Sequence, residues 1–370
     1  MIAFRRILWG LGMGAAGLLL AAFLVAYAAP YLSPVDFWWA NLAAVFLPPL
    51  SLAVGSLGVG LAGWGLYRRA WGRVALAGAL FVLLGVRFGP RLTAWLPADA
   101  SSEGLRVMTF NVPPTFVGRP RSAVPMAAFV DRKAPHVLAL QESRVGTGGP
   151  ASRPRLVHLP PSLRPLLRDP TQYGMPRRLP SDTRIQQPVV GRIPLDSMSV
   201  HRLPPAGRSS ARSRYTRTQF TWQGRTAVLY NLHLHTIGSV RPWRLPDWPS
   251  LEGWWAFLRS YRQGALRRAQ QARLIRRQIE RESHPVIVVG DFNSTPHQWA
   301  YRHIAQGLQS AATQRIAGWT ATFPARRPLV RIDDILAGPA WRIAAARVPA
   351  PTQPLISDHR AVVARLQWRR

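Results

Sequence analysis

The pattern of hydrophobic and polar positions divides this chain into two unlike parts. Residues 7–35 carry no charge, and neither do residues 37–67. Each run exceeds the roughly 20 apolar residues that cross a bilayer. A third apolar segment, 74–86, is shorter and lies between Arg73 and Arg87. Arginine stems can reach the interface while the helix between them stays in lipid. The pattern predicts a membrane region over residues 1–95, with transmembrane helices at 7–29, 41–67 and 72–90. Pro48 and Pro49 either kink the second helix or mark its start. A signal peptide competes for the first run, because Arg5 and Arg6 precede it. The length of that run and the second run behind it argue against a removable leader.

A polar linker, 96–104 (LPADASSEG), ends this part. Beyond it, short β-branched and apolar runs recur at 105–112, 136–142, 187–192, 216–222, 225–235, 285–293, 330–338 and 360–368. They read as strands. One periodic stretch, 264–283, reads as a helix. Ala265, Ala269, Ala272, Ile275 and Ile279 share its apolar face, and Arg267, Arg268, Arg276 and Arg277 lie mostly off it as solvated surface. Residues 143–186 are rich in Pro and Arg and show no period. Residues 237–262 hold Trp243, Trp248, Trp254 and Trp255 and read as a long loop with a short helix. That insert is a packed flap, a segment dipping into the membrane interface, or a stacking surface for bases or head groups. Many strands with few, well-separated helices favour a mixed α/β sandwich over a doubly wound sheet. Residues 105–370 suit one domain.

Charge changes the picture next. The chain carries 48 Lys+Arg against 16 Asp+Glu, a formal net charge of +32. Residues 1–100 account for +5, which leaves +27 for the rest. That excess points to a phosphate-containing polyanionic partner, either nucleic acid or phospholipid head groups. Nothing in the sequence points to a protein partner. There is no cysteine, so disulfides and thiolate metal sites are excluded. Arg5 and Arg6 precede the first span, and Arg68, Arg69 and Arg73 lie between the second and third. The loop between the first two spans carries only Asp36. The positive-inside rule then predicts a multi-pass cell-membrane protein with a cytoplasmic N-terminus. With three spans the region after residue 95 is extracytoplasmic; with two it is cytoplasmic.

The candidate chemistry sits where strands end. Residues 286–296 read VIVVGDFNSTP, so Asp291 and Asn293 close an apolar strand. Successive side chains in a strand alternate faces, so Asp291 and Asn293, two residues apart, point the same way. The same arrangement recurs: Asn111 closes VMTFN, Glu142 closes VLALQE and His233 closes AVLYNLH. Asp333 lies in RIDDIL, and Asp358 and His359 precede the last strand. Buried carboxylates cost several kcal/mol unless paired, hydrogen-bonded or metal-bound. Several such strand ends in one domain imply a single site. Oxygen donors of this kind suit Mg²⁺, and imidazoles near neutrality can move protons or hold anionic oxygens. No thiolate and no His-Glu-x-x-His spacing argues against zinc. Metal-assisted phosphoester hydrolysis uses this set.

The ordered blocks N…QE…NxH…GDFN…RID…SDH, from Asn111 to His359, resemble the endonuclease/exonuclease/phosphatase superfamily of deoxyribonuclease I-like proteins, here as a membrane-anchored bacterial-type member. The likeness covers essentially all of 103–370. It implies a four-layered α/β sandwich, two packed mixed β-sheets flanked by helices, and Mg²⁺-dependent cleavage of phosphoesters, with Mn²⁺ as a substitute. Carried over position by position, it implies that Glu142, Asn111 and Asp358 hold metal. It implies that Asp291 activates water and that Asn293 orients the water or the phosphate. His359, fixed by Asp333, would stabilise the phosphoryl oxygens, and His233 would contact the phosphate or the leaving group. His235 competes with His233 for that place. Asp334 reads as a solvated neighbour without a role. Tyr173 is the sole tyrosine between Glu142 and Arg214, and no motif anchors it. His136, His284 and His297 read as surface or loop residues. The function expected is a membrane-tethered phosphodiesterase of the nuclease type. The alternatives are a phospholipid head-group phosphodiesterase or phosphomonoesterase, and a catalytically retired anion-binding module.

Overall fold

The computed structural model describes residues 2–95, 103–117, 123–149, 155–167, 172–181, 183–204, 213–236 and 250–369. Most of the linker, and Trp243 and Trp248 of the insert, lie outside the described residues.

The N-terminal apolar part folds as α1 (Ile2–Ala28), α2 (Pro34–Ala43), α3 (Leu47–Tyr67) and α4 (Trp71–Phe88). Three stretches, Arg6–Tyr31, Pro34–Tyr67 and Trp71–Trp95, are long and apolar enough to cross a membrane. The Ser33 hydroxyl caps α2 by accepting the Val35 N–H. Pro48 and Pro49 fall in the first turn of α3, where a missing N–H breaks no helical bond. The two prolines therefore begin a helix and do not kink one. Helices α3 and α4 return antiparallel across a short turn. Gly65 lets them meet, since a Cβ there would lie 2.9 Å from Val74 Cγ2 and 3.2 Å from the Val74 nitrogen. Small residues at such crossings are how helices pack in lipid.

The sandwich follows. Its strands are β1 (Leu105–Asn111), β2 (Val137–Gln141), β3 (Val145–Gly148), β4 (Arg155–His158), β5 (Arg184–Ile185), β6 (Val189–Gly191) and β7 (Leu195–Arg202). They continue with β8 (Arg214–Trp222), β9 (Arg225–His233), β10 (Val286–Asp291), β11 (Gln309–Ser310), β12 (Asp333–Ala337), β13 (Trp341–Arg347) and β14 (Val362–Trp368). The helices are α5 (Pro114–Val117), α6 (Ala123–Lys133), α7 (Leu251–Glu280), α8 (Trp299–Ala305) and α9 (Ala311–Arg315). One mixed sheet has the order β13-β14-β1-β2-β6 and the second β11-β12-β10-β9-β8-β7; β4-β3-β5 forms a small third sheet. All eight predicted runs are strands. Most of the missed ones (β7, β11 and β13) lie at sheet edges or, like β3 to β5, in the small sheet within 143–186. An edge strand buries few side chains, so no apolar run announces it.

Alternation along β9 and β10 sorts their residues between two cores. Leu229, Ile287 and Val289 pack between the sheets. Val228, Tyr230, Leu232, Val286 and Val288 face Ala272, Ile275 and Ile279 of α7. The apolar face predicted for 264–283 is therefore the buried one, but the helix starts thirteen residues earlier. Ser250 caps it by accepting the Gly253 N–H at 3.0 Å, and Trp254 and Trp255 belong to it, not to a loop. Arg268 corrects a second expectation. It is buried, and its Nη1 donates to the carbonyls of His235 and Thr236 at 3.2 and 2.9 Å.

The sandwich rests on one end of the helical region. Phe257, Tyr261 and Ala265 of α7 pack against Trp38 and Leu42 of α2. Gln298 Nε2 donates to the Asn41 carbonyl at 2.8 Å, and the Trp299 N–H donates to Asn41 Oδ1 at 2.9 Å. Phe88 meets the His297 ring, and the Arg302 guanidinium lies 4.1 Å from the Tyr31 ring centre.

Candidate active site

Register builds the site. Strand β10 pairs in parallel with β9, matching Asp291 to His233, and antiparallel with β12, matching Asp291 to Asp333. Registered positions on neighbouring strands share a face. Three polar side chains thus stand side by side on the inter-sheet face, at the end where the apolar series of β9 and β10 stops. From the other sheet, β1 ends at Asn111 and β2 at Gln141, themselves in register. Gly290 makes the pairing possible. Its φ is +135°, and a Cβ there would lie 2.0 Å from the Leu232 carbonyl oxygen.

Hydrogen bonds then tie together six of the eight residues expected at this site, all but His233 and Asp358. Asn111 Nδ2 donates to Asp291 Oδ2 at 2.9 Å and to Glu142 Oε1 at 3.3 Å. The Asn293 N–H donates to Asp291 Oδ1 at 2.8 Å, and its Nδ2 donates to the Leu234 carbonyl at 3.0 Å. Strand β10 ends at Asp291, and Asn293 has φ +43°. Strand alternation is therefore not what places Asn293; a left-handed turn bonded back to Asp291 is. Glu142 also sits at positive φ, +59°. Backbone held in that region costs about 1 kcal/mol or more and collects at functional sites.

His233 Nε2 lies 3.7 Å from both Glu142 Oε1 and Asp291 Oδ2. His359 Nδ1 lies 3.0 Å from Asp333 Oδ2, which leaves its Nε2 3.9 Å from Asp291 Oδ2. The Ser357 hydroxyl bonds the Asn111 carbonyl and accepts the His359 N–H, tying the last loop to β1. Asp358 is half-buried, and its Oδ1 has no hydrogen-bond partner; neither has the buried Oδ1 of Asn111. His235 does not join. Its N–H donates to Gln271, and its ring Nε2 lies 3.2 Å from Arg267 Nη1. Burial, then Arg267 and Arg268, pushes it down to about 4, so it stays neutral.

The charges oppose one another. Burial and the nearby Asp333 carboxylate push Asp291 up to about 6, against the pull of His359 and His233. Burial disfavours the His359 cation, but Asp333, Asp291 and Asp358 outweigh it and push the ring up to about 10. A carboxylate near neutrality beside a fixed imidazolium is an acid–base arrangement.

Several residues escaped the sequence reading. Gln141 Nε2 donates to Asn231 Oδ1 at 2.6 Å, and Asn231 Nδ2 donates to the Leu140 carbonyl at 2.9 Å. This buried bridge fixes the two sheets just below the site. Gln141 and Asn231 stand in the QE and NxH blocks, and inter-sheet alternation adds a signal for the bridge, since Asn231 is two residues before His233. Asp334 is buried, not solvated. It faces the helix layer opposite Asp333, where Tyr301 and Ser310 donate to it at 2.5 and 2.7 Å. Tyr173 is buried in the inter-sheet core with the Arg192 guanidinium over its ring and does not line the site.

The site opens into a cavity of about 1020 Å³. Glu142, His233, Asp291, Asn293, Asp358 and His359 line part of its polar side, with Arg144 and Gln298 among the other polar residues. Leu42, Val45 and Phe46 from the N-terminal helical part, with Phe257, Phe323 and Leu329, form much of the rest. Asp291, Asp333 and His359 also offer ligand atoms within 4.8 Å of one another, close enough to hold a metal ion.

The sequence profile described as the Endonuclease/Exonuclease/phosphatase family matches residues 99–359. The chain belongs to this family. The chain is also similar to solved structures. One from Beutenbergia cavernae, an endonuclease/exonuclease/phosphatase, is 22% identical over 71% of each chain, with a TM-score of 0.47. Humanized D. rerio TDP2 is 14% identical over 71% of this chain and 98% of its own, with a TM-score of 0.49. A mannosyl-6-phosphatase from Bacteroides thetaiotaomicron is 14% identical over 71% and 100%, with a TM-score of 0.46. No curated protein matches the chain. The family match spans most of the sandwich, and helices α1 to α4 precede the matched residues.

Proposed function

We propose that this chain is a membrane-tethered, divalent-metal-dependent hydrolase of phosphoesters. The observation that carries the reading is the convergence of Glu142, His233, Asp291, Asn293, Asp358 and His359 on one cavity, with the buried Asn111 bonded to Asp291 behind them. The donor set fits Mg²⁺, or Mn²⁺ in its place: Asn111 Oδ1 and Asp358 Oδ1 are oxygen acceptors without a hydrogen bond, and Glu142 is bonded to the same asparagine. Hard cations take such oxygens. Asn111, Glu142 and Asp358 would hold the ion. Asp333 is already bonded to His359, which favours this set over the Asp291–Asp333–His359 group. Bound there, the ion would polarise the phosphoryl group and offset its charge.

The chain's own residues do the rest. Asp291, with both oxygens fixed by Asn111 and Asn293, takes a proton from the attacking water at near-neutral pH. Asn293 orients that water. His359, fixed by Asp333, presents Nε2 to the phosphoryl oxygens. His233, 3.7 Å from both Glu142 and Asp291, donates the proton to the leaving oxygen.

The shared cavity favours a phosphoester carried by a membrane amphiphile. Its apolar wall is built in part by α2 and the turn Ala44–Phe46, beside the start of a spanning helix. The +27 charge of the region after residue 100 favours a second reading, a nucleic-acid backbone. With N-terminal arginines cytoplasmic and three spans, the sandwich is extracytoplasmic. Its contacts with Tyr31, Asn41 and Phe88, all at one end of the bundle, suit three spans. The test is Leu42→Asp in the full chain. Turnover of a vesicle-borne phosphoester should fall while turnover of a small soluble phosphodiester is kept. Equal loss on both substrates would refute the amphiphile reading.

A further inference from the structure

A second cavity, of about 600 Å³, lies where the sandwich meets the ends of α3 and α4. Val45 and Pro48 line it at the start of α3, and Phe88 and Pro90 at the end of α4. Four arginines face it: Arg87, Arg91, Arg302 and Arg331. Among the described residues lining it there is no Asp or Glu.

The guanidiniums are poorly satisfied by protein. Arg87 Nε and Nη2 are buried without a hydrogen-bond partner, and so is Arg331 Nη1. The Arg331 side chain is 9% exposed. Its Nη2 donates to Thr313 Oγ1 at 2.9 Å, and its Nη1 lies 3.8 Å from Asp334 Oδ2. That carboxylate already accepts from Tyr301 and Ser310. Arg91 Nη2 donates to the Gly318 carbonyl at 2.7 Å. Arg302 lies over the Tyr31 ring and is otherwise exposed. His297 adds no charge. Burial, then Arg87, Arg331 and Arg91, push it down to about 3.

Buried guanidinium donors without acceptors cost free energy comparable to a lost charged hydrogen bond each. A cationic cavity with open donors is complete only with an anion inside. Arginine forks match tetrahedral phosphate oxygens. We propose that this cavity is a second anion site, separate from the hydrolytic one, that takes a phosphate group. At the end of two candidate spans, the nearest source of that group is the head group of an anionic lipid; free phosphate is the other. The site shares Val45, Thr295, Leu329 and Val330 with the wall of the active-site cavity, so its occupant braces the contact between the sandwich and the spanning helices.

The test is thermal-shift titration of the full chain in detergent with EDTA, so that no metal-dependent turnover consumes the probe. The probes are dihexanoyl phosphatidylglycerol and inorganic phosphate. Saturable stabilisation is expected, with affinity about tenfold weaker in Arg87→Gln and in Arg302→Gln. Arg302 is exposed, so its variant folds even if the Arg87 variant does not. A response to the lipid alone assigns a head group, and a response to both assigns phosphate in general. No saturable response to either probe, or equal affinity in wild type and the Arg302 variant, would overturn the proposal.

Discussion

Asp333 Oδ2 lies 3.0 Å from His359 Nδ1, and both side chains are buried. The contact fixes which ring nitrogen faces Asp291. Asp333→Asn removes the charge and keeps the shape. Initial-rate kinetics of the full chain on a phosphodiester with Mg²⁺ should show kcat down by about 10²-fold or more, with KM changed far less. An unchanged kcat would remove Asp333 from the mechanism.

Gly290 lies against β9 with no room for a side chain, a Cβ position falling 2.0 Å from the Leu232 carbonyl oxygen. Gly290→Ala should therefore cost more than about 3 kcal/mol, through overpacking and the strain of positive φ. Thermal unfolding should shift down by about 6 °C or more. A midpoint matching wild type would mean that β9 separates freely from β10.

Glu142 is bonded through Asn111 to Asp291 and stands at positive φ. Glu142→Gln keeps the bond to Asn111 and removes a charged oxygen donor. The Mg²⁺ concentration giving half-maximal activity should rise at least tenfold, an order typical of weakened metal sites. If EDTA leaves wild-type activity intact, the metal requirement itself is wrong.

Glu282 anchors the outer layer of the sandwich away from the site. Arg217 donates to it at 2.8 and 3.1 Å, and Tyr230 donates at 3.0 Å. Burial opposes its charge, but Arg217, His284 and Tyr230 outweigh that and hold the carboxyl down at about 2, below its ordinary 4.5. A depressed folded-state pKa contributes stability in full above the unfolded value and loses it as pH falls towards the folded one. The wild-type advantage in thermal midpoint over Glu282→Gln should be constant above about pH 5 and shrink between pH 4.5 and 2. An advantage that does not change over that window would contradict the pairing.

The strands and most of the site were legible because both come from repetition of one local pattern. Alternating apolar residues gave β9 and β10 their buried faces, and the polar residue closing each run had to be satisfied by its neighbours. His233, Asp291 and Asp333 were visible for that reason. Asp334 and Arg268 were misread because sequence does not show which layer meets the opposite face. Tyr301 and Ser310 satisfy Asp334, and the carbonyls of residues 235 and 236 satisfy Arg268. Helix α7 was cut short at 264 because its first turns face α2 through Phe257 and Tyr261, so two packing surfaces blurred one period. The cationic cavity is not legible in the sequence, since its four arginines come from three segments that are distant along the chain.

The most direct test of the central claim is cleavage by the full chain in detergent, with Asp291→Ala measured beside it. Substrates are a vesicle-borne phosphoester, a soluble phosphodiester and plasmid DNA, each with Mg²⁺ and with EDTA. Cleavage of at least one that needs both Mg²⁺ and Asp291, strongest on the vesicle substrate, is the result expected. Cleavage that survives Asp291→Ala, or none on any substrate from a folded protein, would contradict the assignment of this site as a phosphoester hydrolase.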